Sequence, residues 1–160
     1  MSFIDELKVK VKGSMKTIVL PESTDIRVLE AARKVTDEGF AKVILIGNRE
    51  ELQGIAGNIN ISDITVVDPA TSEKTAEYAN AFYELRKAKG MTPEKAEETM
   101  KNTIYFGTMM VKQGDADGLV AGSVCSTSDT LRPALQILKT APGVKLVSSF
   151  FLMNVPNTEY

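Results

Sequence analysis

The sequence predicts a three-layer α/β/α sandwich with a mainly parallel sheet. Short, continuously apolar runs such as Thr17 to Leu20 and Val43 to Ile46 alternate with longer segments whose apolar residues recur at helical spacing. Continuous rather than alternating apolarity indicates strands that are buried on both faces, as in parallel sheets. Because a helical segment follows each of these runs, the connections favour parallel strands with helices on both faces of the sheet.

Composition excludes several classes of function. The 160 residues suffice for one domain with a real core, and the apolar and charged fractions of 43% and 25% are ordinary. The net charge of −2 gives no attraction to nucleic acid. No apolar leader and no membrane span of ~20 apolar residues is found, so we expect a cytoplasmic protein without a membrane partner. The chain has no histidine and one cysteine, so neither a metal site nor an internal disulfide is expected.

The predicted elements alternate between strand and helix along the chain. Pro21 ends the first strand, Thr24 is the predicted N-cap of the next helix, and Gly39 is its C-cap. Thr92 and Pro93 together predict a later helix start. The predicted strands cover residues 17–20, 43–46, 64–67, 119–121 and 145–153, and the predicted helices cover 2–12, 25–38, 50–53, 71–89, 93–100, 103–113 and 131–138. We expect the first helix to pack on the surface of the sheet.

The stretch from Gly118 to Thr140 predicts a binding site for an anion. A short apolar strand leads into a loop rich in hydroxyl groups, and a helix follows. A helix start offers unpaired N–H groups and the positive end of the helix dipole, and Arg132 adds a cation. The alternative is that these small polar residues only fill a strand-to-helix loop. The small polar residues are Ser123, Ser126, Thr127, Ser128, Asp129 and Thr130.

The helix that follows this loop has one predicted buried face. Asp129 or Thr130 is the predicted N-cap, which puts Pro133 in the first turn, where its missing N–H costs little. The predicted inner residues recur at i, i+3, i+4 and i+7; they are Leu131, Ala134, Leu135 and Leu138.

Several other side chains have a functional and a structural interpretation. Glu22 and Arg27 lie near the end of the first strand, where open α/β sheets bind ligands, but a solvated loop charge or an internal ion pair is favoured for each. Cys125 has no basic partner, so a small buried residue is favoured over a nucleophilic thiolate. Met109 and Met110 are expected to fill the core.

Several motifs together resemble those of the phosphate acetyltransferases. The run from Ala121 to Thr140, which contains S-T-S-D-T-L-R-P-A-L-Q-I-L-K-T, carries the strongest similarity. The L-P-E motif at Leu20 to Glu22, the segment from Tyr105 to Met110 and the segment from Gly114 to Val120 resemble further motifs of the family. The resemblance covers residues 1–160 and corresponds to the amino-terminal half of the longer family members, with residues 146–160 leading into a second half. One departure is Cys125, where many relatives have histidine.

The resemblance implies a reversible transfer of an acetyl group between acetyl phosphate and coenzyme A, with release of phosphate. It implies that Ser128, Thr130 and Arg132 hold the phosphoryl group, with Ser126 and Thr127 supporting them. It also makes Arg86 a candidate contact with coenzyme A or phosphate at the edge of the cleft. The catalytic residues are expected in the second half of the family's sequence. Coenzyme A is a substrate rather than a bound cofactor, no metal is required, and the family members are homodimers.

Other functions remain open at this point. The phosphate butyryltransferases share the same plan, and a non-catalytic α/β fragment that binds anions is the alternative from a different class. A nucleotide-dependent dehydrogenase is disfavoured, because the loop from Pro21 to Thr24 lacks the G-x-G-x-x-G motif.

Overall fold

The computed structural model describes residues 3–150, 153 and 155. Its centre is a parallel sheet of four strands, which are β1 (Thr17–Leu20), β2 (Lys42–Ile46), β3 (Thr65–Val67) and β4 (Gly118–Leu119). The strand order is β3-β2-β1-β4, so the chain moves outward in one direction from β1 to β3 and then crosses to the other side of β1. The carboxyl ends of β1 and β4 therefore flank the point where the winding direction reverses, which is where open α/β sheets bind ligands.

Helices cover both faces of this sheet. The described helices are α1 (Phe3–Lys12), α2 (Ile26–Glu38), α3 (Arg49–Ala56), α4 (Lys74–Arg86) with a 3₁₀ turn at Lys87–Lys89, α5 (Pro93–Met100), α6 (Thr103–Gln113) and α7 (Thr127–Ile137), and of these α2 to α7 cover the sheet. No helix in the described part of the chain combines the length and the apolar character needed to cross a bilayer.

Two apolar cores lie on opposite faces of the sheet. On one face, α2 and α3 pack Leu29 and Leu52 against Val43 of β2. On the other face, α4, α5, α6 and α7 pack around Val19 and Ile46, which belong to β1 and β2. The prediction of a three-layer sandwich with a parallel sheet is confirmed, because each face of the sheet is covered by helices.

Helix α6 approaches the sheet closely because Gly107 has no side chain. A Cβ atom at Gly107 would lie 2.9 Å from Leu119 Cδ1 and 2.9 Å from Val19 Cγ1. Met109 and Met110 on the same helix are buried, which confirms the prediction that they fill the core. The close approach fixes the position of α6 relative to the β1–β4 pair.

Helix caps agree with the sequence at some positions and differ at others. Gly39 adopts a left-handed conformation with φ of 64° after α2, and the Thr92 side chain accepts a hydrogen bond at the start of α5, as predicted. At the start of α2 the predicted N-cap, Thr24, is wrong. The cap is Asp25, whose carboxylate accepts the N–H of Arg27 at 2.9 Å, because a carboxylate is a stronger acceptor than a hydroxyl at a helix start.

Helix α1 does not pack on the sheet, contrary to the expectation. None of its residues is buried, and Leu7 is 39% exposed. Lys8 forms an ion pair with Glu38 at the end of α2 and lies 5.6 Å from the centre of the Phe40 ring. These contacts connect α1 to the carboxyl end of α2 rather than to a core.

The last predicted strand, over 145–153, is not formed in its described part. Residues 145–150 are irregular, and Leu146 and Phe150 are 81% and 89% exposed. Met153 is also irregular and exposed, and residues 151 and 152 lie outside the described part of the chain. Among the described residues no neighbouring strand pairs with this segment, so its apolar sequence alone does not produce a strand.

Candidate functional site

The hydroxyl-rich segment forms the first turns of α7, a few residues after β4. Ser126 is the N-cap: its Oγ accepts the N–H of Asp129 at 3.2 Å and donates to Asp129 Oδ2 at 2.7 Å. Thr130 Oγ1 donates to the Ser126 carbonyl at 3.2 Å. The predicted N-cap, Asp129 or Thr130, is wrong, because Ser126 caps the helix three or four residues earlier and its hydroxyl is held by the Asp129 carboxylate.

The buried face of α7 differs from the predicted one. Pro133 lies inside the helix rather than in its first turn, and Pro133 and Ile137 are its buried residues. Two of the predicted inner residues, Leu131 and Leu135, are 41% and 48% exposed. The predicted face is therefore wrong. Leu138 caps the carboxyl end of the helix and is also 41% exposed.

Two of the predicted binding arginines lie near the same tyrosine. Tyr105 of α6 donates its hydroxyl to Gln136 Oε1 of α7 at 3.1 Å. Burial raises the pKa of Tyr105, whereas the positive charges of Arg132 and Arg86 lower it in part and Asp129 raises it again. Both arginines therefore affect the pKa of Tyr105, although they are on different helices. No sequence pattern marked Tyr105 as part of this arrangement.

Both arginines have donors that the described residues do not engage. Arg86 lies at the end of α4, and its Nε is buried without a hydrogen-bond partner in the described part of the chain. Arg132 is exposed in the second turn of α7 and makes no hydrogen bond or ion pair with the described residues. Guanidinium groups in this state are suited to an anion with several oxygen atoms, such as a phosphate.

A buried carboxylate holds the loop between β4 and α7. Glu22, two residues after β1, is 8% exposed. Its Oε2 accepts the N–H groups of Gly122 and Ser123 at 2.5 and 2.8 Å, and its Oε1 accepts those of Val124 and Cys125 at 2.9 and 2.7 Å. The interpretation of Glu22 as a solvated loop charge is wrong, because the carboxylate is buried and four backbone N–H groups stabilise its charge.

The environment of Glu22 fixes its protonation state. Burial on its own would raise the pKa of this carboxyl group, but the four backbone hydrogen bonds, that of Cys125 first, outweigh burial and lower the pKa from 4.5 to about 2. The group is therefore ionised at neutral pH. With a low pKa and both oxygens engaged, it is a poor general base.

Arg27 contacts the same loop. Its guanidinium pairs with Asp25 Oδ2 at 2.5 Å, and it also donates to the Ser123 carbonyl at 3.1 Å. The interpretation of Arg27 as part of an internal ion pair therefore agrees with the structure. Next to it, between the ends of β1 and β4, lies an open and mostly apolar cavity of about 280 Å³ that Leu20 and Val120 help to line.

Cys125 has the properties of a structural thiol. It is partly buried, and burial raises its pKa, followed by the nearby carboxylate of Glu22. A raised pKa disfavours the thiolate and hence nucleophilic chemistry. In the part of the chain that the structure describes, no cluster of three or more acidic or cysteine side chains is arranged to hold a metal ion.

The predicted site residues fall into two groups in space. Arg86 lies at the end of α4, and the others lie in the first two turns of α7 or at its cap. Sequence reasoning missed Tyr105 and the role of Glu22. The sequence did contain a signal for the role of Glu22, namely its position as a charged residue directly after a buried strand and the proline that ends that strand. The group on α7 consists of Ser126, Thr127, Ser128, Thr130 and Arg132.

The fold and the site together define an open parallel α/β protein with a cationic, hydroxyl-rich candidate anion site beyond the carboxyl edge of its sheet. A family model described as phosphate acetyl/butaryl transferase matches residues 2–160. Phosphate acetyltransferases from Acetivibrio thermocellus and Thermoanaerobacterium thermosaccharolyticum are 59% and 54% identical over the whole chain. A phosphotransacetylase structure from Streptococcus pyogenes is similar with a TM-score of 0.91 and 40% identity, over 99% of this chain and 50% of that one.

The chain belongs to the phosphate acetyl/butyryl transferase family. It spans about half the length of the curated relatives it matches, since the matches cover 48% and 49% of the first two. A second solved structure, the EutD phosphotransacetylase from Staphylococcus aureus, is also similar to this chain. It has a TM-score of 0.81 and 48% identity, over 88% of this chain and 43% of that one. The resemblance found in the sequence motifs is thereby confirmed.

Proposed function

We propose that this chain provides the phosphate-binding part of an enzyme that transfers an acetyl group reversibly between acetyl phosphate and coenzyme A. The names of the two acetyltransferase relatives support this reaction, and the 59% identity of one of them over all 160 residues supports carrying it over. The single observation that carries the proposal is the start of α7. Hydroxyl side chains cluster there, one turn before the exposed guanidinium of Arg132, which makes no hydrogen bond or ion pair with the described residues.

In this proposal, the side chains of α7 hold the phosphoryl group of acetyl phosphate. Ser128, Thr130 and Arg132 bind its oxygens, and Ser126 and Thr127 support them from the helix start. The four N–H groups of residues 122–125 do not take part, because Glu22 already occupies them. Side chains rather than loop peptide groups therefore supply the hydrogen bonds to the substrate.

Arg86 contacts coenzyme A or phosphate at the edge of the same site. The thiolate of coenzyme A attacks the acetyl carbonyl, the C–O bond to phosphate breaks, and phosphate leaves with the electron pair. Cations and N–H donors around the leaving group stabilise the negative charge that develops there, and holding both substrates in place supplies further acceleration. We assign the base that deprotonates the thiol to the half of the relatives' length that this chain does not span.

The remaining features of the proposal follow the family. No covalent enzyme intermediate, metal or bound cofactor is needed, and coenzyme A is a substrate. We propose a cytoplasmic homodimer, since a reducing compartment suits a chain whose single cysteine is free. The family description includes butyryl transfer, but the relatives at 59% and 54% identity are named as acetyltransferases, which favours acetyl phosphate over butyryl phosphate.

The test measures acetyl-CoA formation from acetyl phosphate and coenzyme A. It uses the 160-residue chain and a chimera in which this chain precedes the second half of the A. thermocellus relative. In an active chimera, Arg132→Ala should raise KM for acetyl phosphate about 10- to 100-fold, the effect of losing hydrogen bonds to a charged group. Lys34→Ala, which removes an exposed charge on α2, is the matched control. A chimera without activity would refute the proposed reaction, and an unchanged KM would exclude Arg132 from the site.

A further inference from the structure

The loop that leads into α7 is fixed by a carboxylate from a distant part of the chain. Four successive N–H groups, those of residues 122–125, point at Glu22 within 2.5 to 2.9 Å. Four consecutive peptide groups converge on one carboxylate only if the backbone curls around it. Gly122 supplies the required conformation with φ of 109°, which is unfavourable for other residues.

The segment that carries Glu22 is itself anchored to the sheet. Ser23 is 1% exposed, and its Oγ donates to the Leu20 carbonyl at 2.7 Å and accepts the N–H of Ile46 at 3.0 Å. The turn after β1 is therefore attached to β2 as well as to its own strand. Because the segment that carries Glu22 is attached to the sheet, the loop that binds Glu22 has a fixed position relative to the sheet.

The loop transmits this position directly to the candidate anion site. The last N–H group that Glu22 binds is that of Cys125, and the next residue, Ser126, is the N-cap of α7. A shift of the loop would therefore move the helix start and its hydroxyl groups relative to Arg86, which is on α4.

Glu22 also removes competing donors from the site. An unoccupied curl of four N–H groups would itself attract an anion, in competition with the side chains of α7. Because the carboxylate already fills it, an incoming phosphate meets the hydroxyl groups and guanidinium groups instead.

We propose that Glu22 is the positioning residue of this anion site: it sets the β4–α7 loop so that the α7 side chains can bind the phosphoryl group, with Arg86 at the edge of the site. Glu22 does not touch the substrate and acts through the loop. This inference rests on the proposed function, since it concerns the same site.

The first arm of the test measures amide hydrogen exchange by NMR in the 160-residue chain. In Glu22→Gln an NH₂ group faces two of the four N–H donors, so at least two hydrogen bonds are lost. We expect at least about tenfold faster exchange at the affected amides of residues 122–125. Glu30→Gln removes an exposed carboxylate of α2 and is the matched control, with exchange unchanged. Wild-type protection in a folded Glu22→Gln variant would overturn the proposal.

The second arm measures the affinity for inorganic phosphate from the NMR shifts of the α7 amides. These signals come from folded molecules, so a loss of folded protein alone would not change the dissociation constant. Glu22→Gln should weaken phosphate binding at least about tenfold, and Glu30→Gln should not. If Glu22→Gln does not fold, Gly122→Ala disturbs the same loop at an exposed position where a Cβ atom meets nothing within 4 Å.

The outcomes separate this inference from the proposed function. Wild-type binding of phosphate that weakens in the folded loop variants supports the positioning role. Equal affinity in wild type and these variants would overturn the role of Glu22 alone. A wild-type chain that binds no phosphate would overturn the proposed anion site itself, and the role of Glu22 with it.

Discussion

Replacing Gly107 with alanine tests how closely α6 approaches the sheet. The added methyl group would lie 2.9 Å from both Leu119 Cδ1 and Val19 Cγ1, whereas favourable carbon contacts begin at about 3.5 Å. Val19 is fully buried and β-branched, so it has little freedom to move away. Overpacking of this kind costs about 1–3 kcal/mol, and the higher helix propensity of alanine offsets about 1 kcal/mol of that. We expect a net loss of up to about 2 kcal/mol in the free energy of unfolding.

Urea unfolding of the 160-residue chain, followed by circular dichroism, measures this loss. Gly54→Ala is the matched control, because Gly54 lies within α3 and a Cβ atom there meets nothing within 4 Å. Alanine at this position should stabilise the chain by about 0.5–1 kcal/mol. At about 2–4 °C per kcal/mol for a chain of this size, the two variants should differ in Tm by several degrees. A Gly107→Ala variant as stable as Gly54→Ala would refute the close packing of α6.

Three further predictions concern titratable groups. The pKa of Glu22 is lowered from 4.5 to about 2, so its stabilising contribution is complete above pH 4.5 and is lost as the pH falls toward 2. In wild type, protonation of Glu22 should lower the free energy of unfolding by up to about 3 kcal/mol as the pH falls, and Glu22→Gln should lack this decrease. An acid-unfolding curve identical to that of wild type would contradict the prediction. The Tyr78 hydroxyl donates to Asp115 Oδ2 at 2.5 Å, and Tyr78→Phe should cost about 1 kcal/mol in urea unfolding, since the part-exposed Asp115 regains water. If it costs nothing, this bond does not stabilise the fold. Burial and then Glu22 raise the pKa of Cys125, so iodoacetamide should modify it more slowly at pH 7 than a free cysteine, and Cys125→Ala should keep the activity of the chimera. Fast modification or complete loss of activity would contradict the structural interpretation.

Four of the five predicted strands have a counterpart in the structure, because their signal is local, whereas the described part of 145–153 forms no strand. The run from Thr17 to Leu20 is apolar throughout, is bounded by Pro21, and forms β1 with the predicted ends. Parallel strands covered on both faces need such runs, so composition over a few residues is enough to find them. The hydroxyl groups and Arg132 of α7 could be proposed as a site for the same reason, since they are close together in the sequence.

Tertiary contacts decided the features that were missed. The apolar residues of α7 form two overlapping stripes, and the contact with the rest of the core selects the one with Pro133 and Ile137. The role of Glu22 depends on N–H groups about a hundred positions later in the chain, which no local pattern connects to it. The common effect of Arg86 and Arg132 on Tyr105 likewise requires three helices in their final places.

The strand order has a consequence for how the chain folds. Strand β1 pairs with β2 across a short separation in sequence, but Thr17 reaches Asp117, and Glu22 reaches Gly122, across 100 residues each. Closing a loop of this length costs chain entropy that must be lost before these contacts form. The β1–β2–β3 side can therefore assemble first, while the side of β1 that will receive β4 stays open to pairing with other chains. Folding intermediates of this chain should be most prone to aggregation at that edge of β1, and the anion site should be among the last regions to take shape.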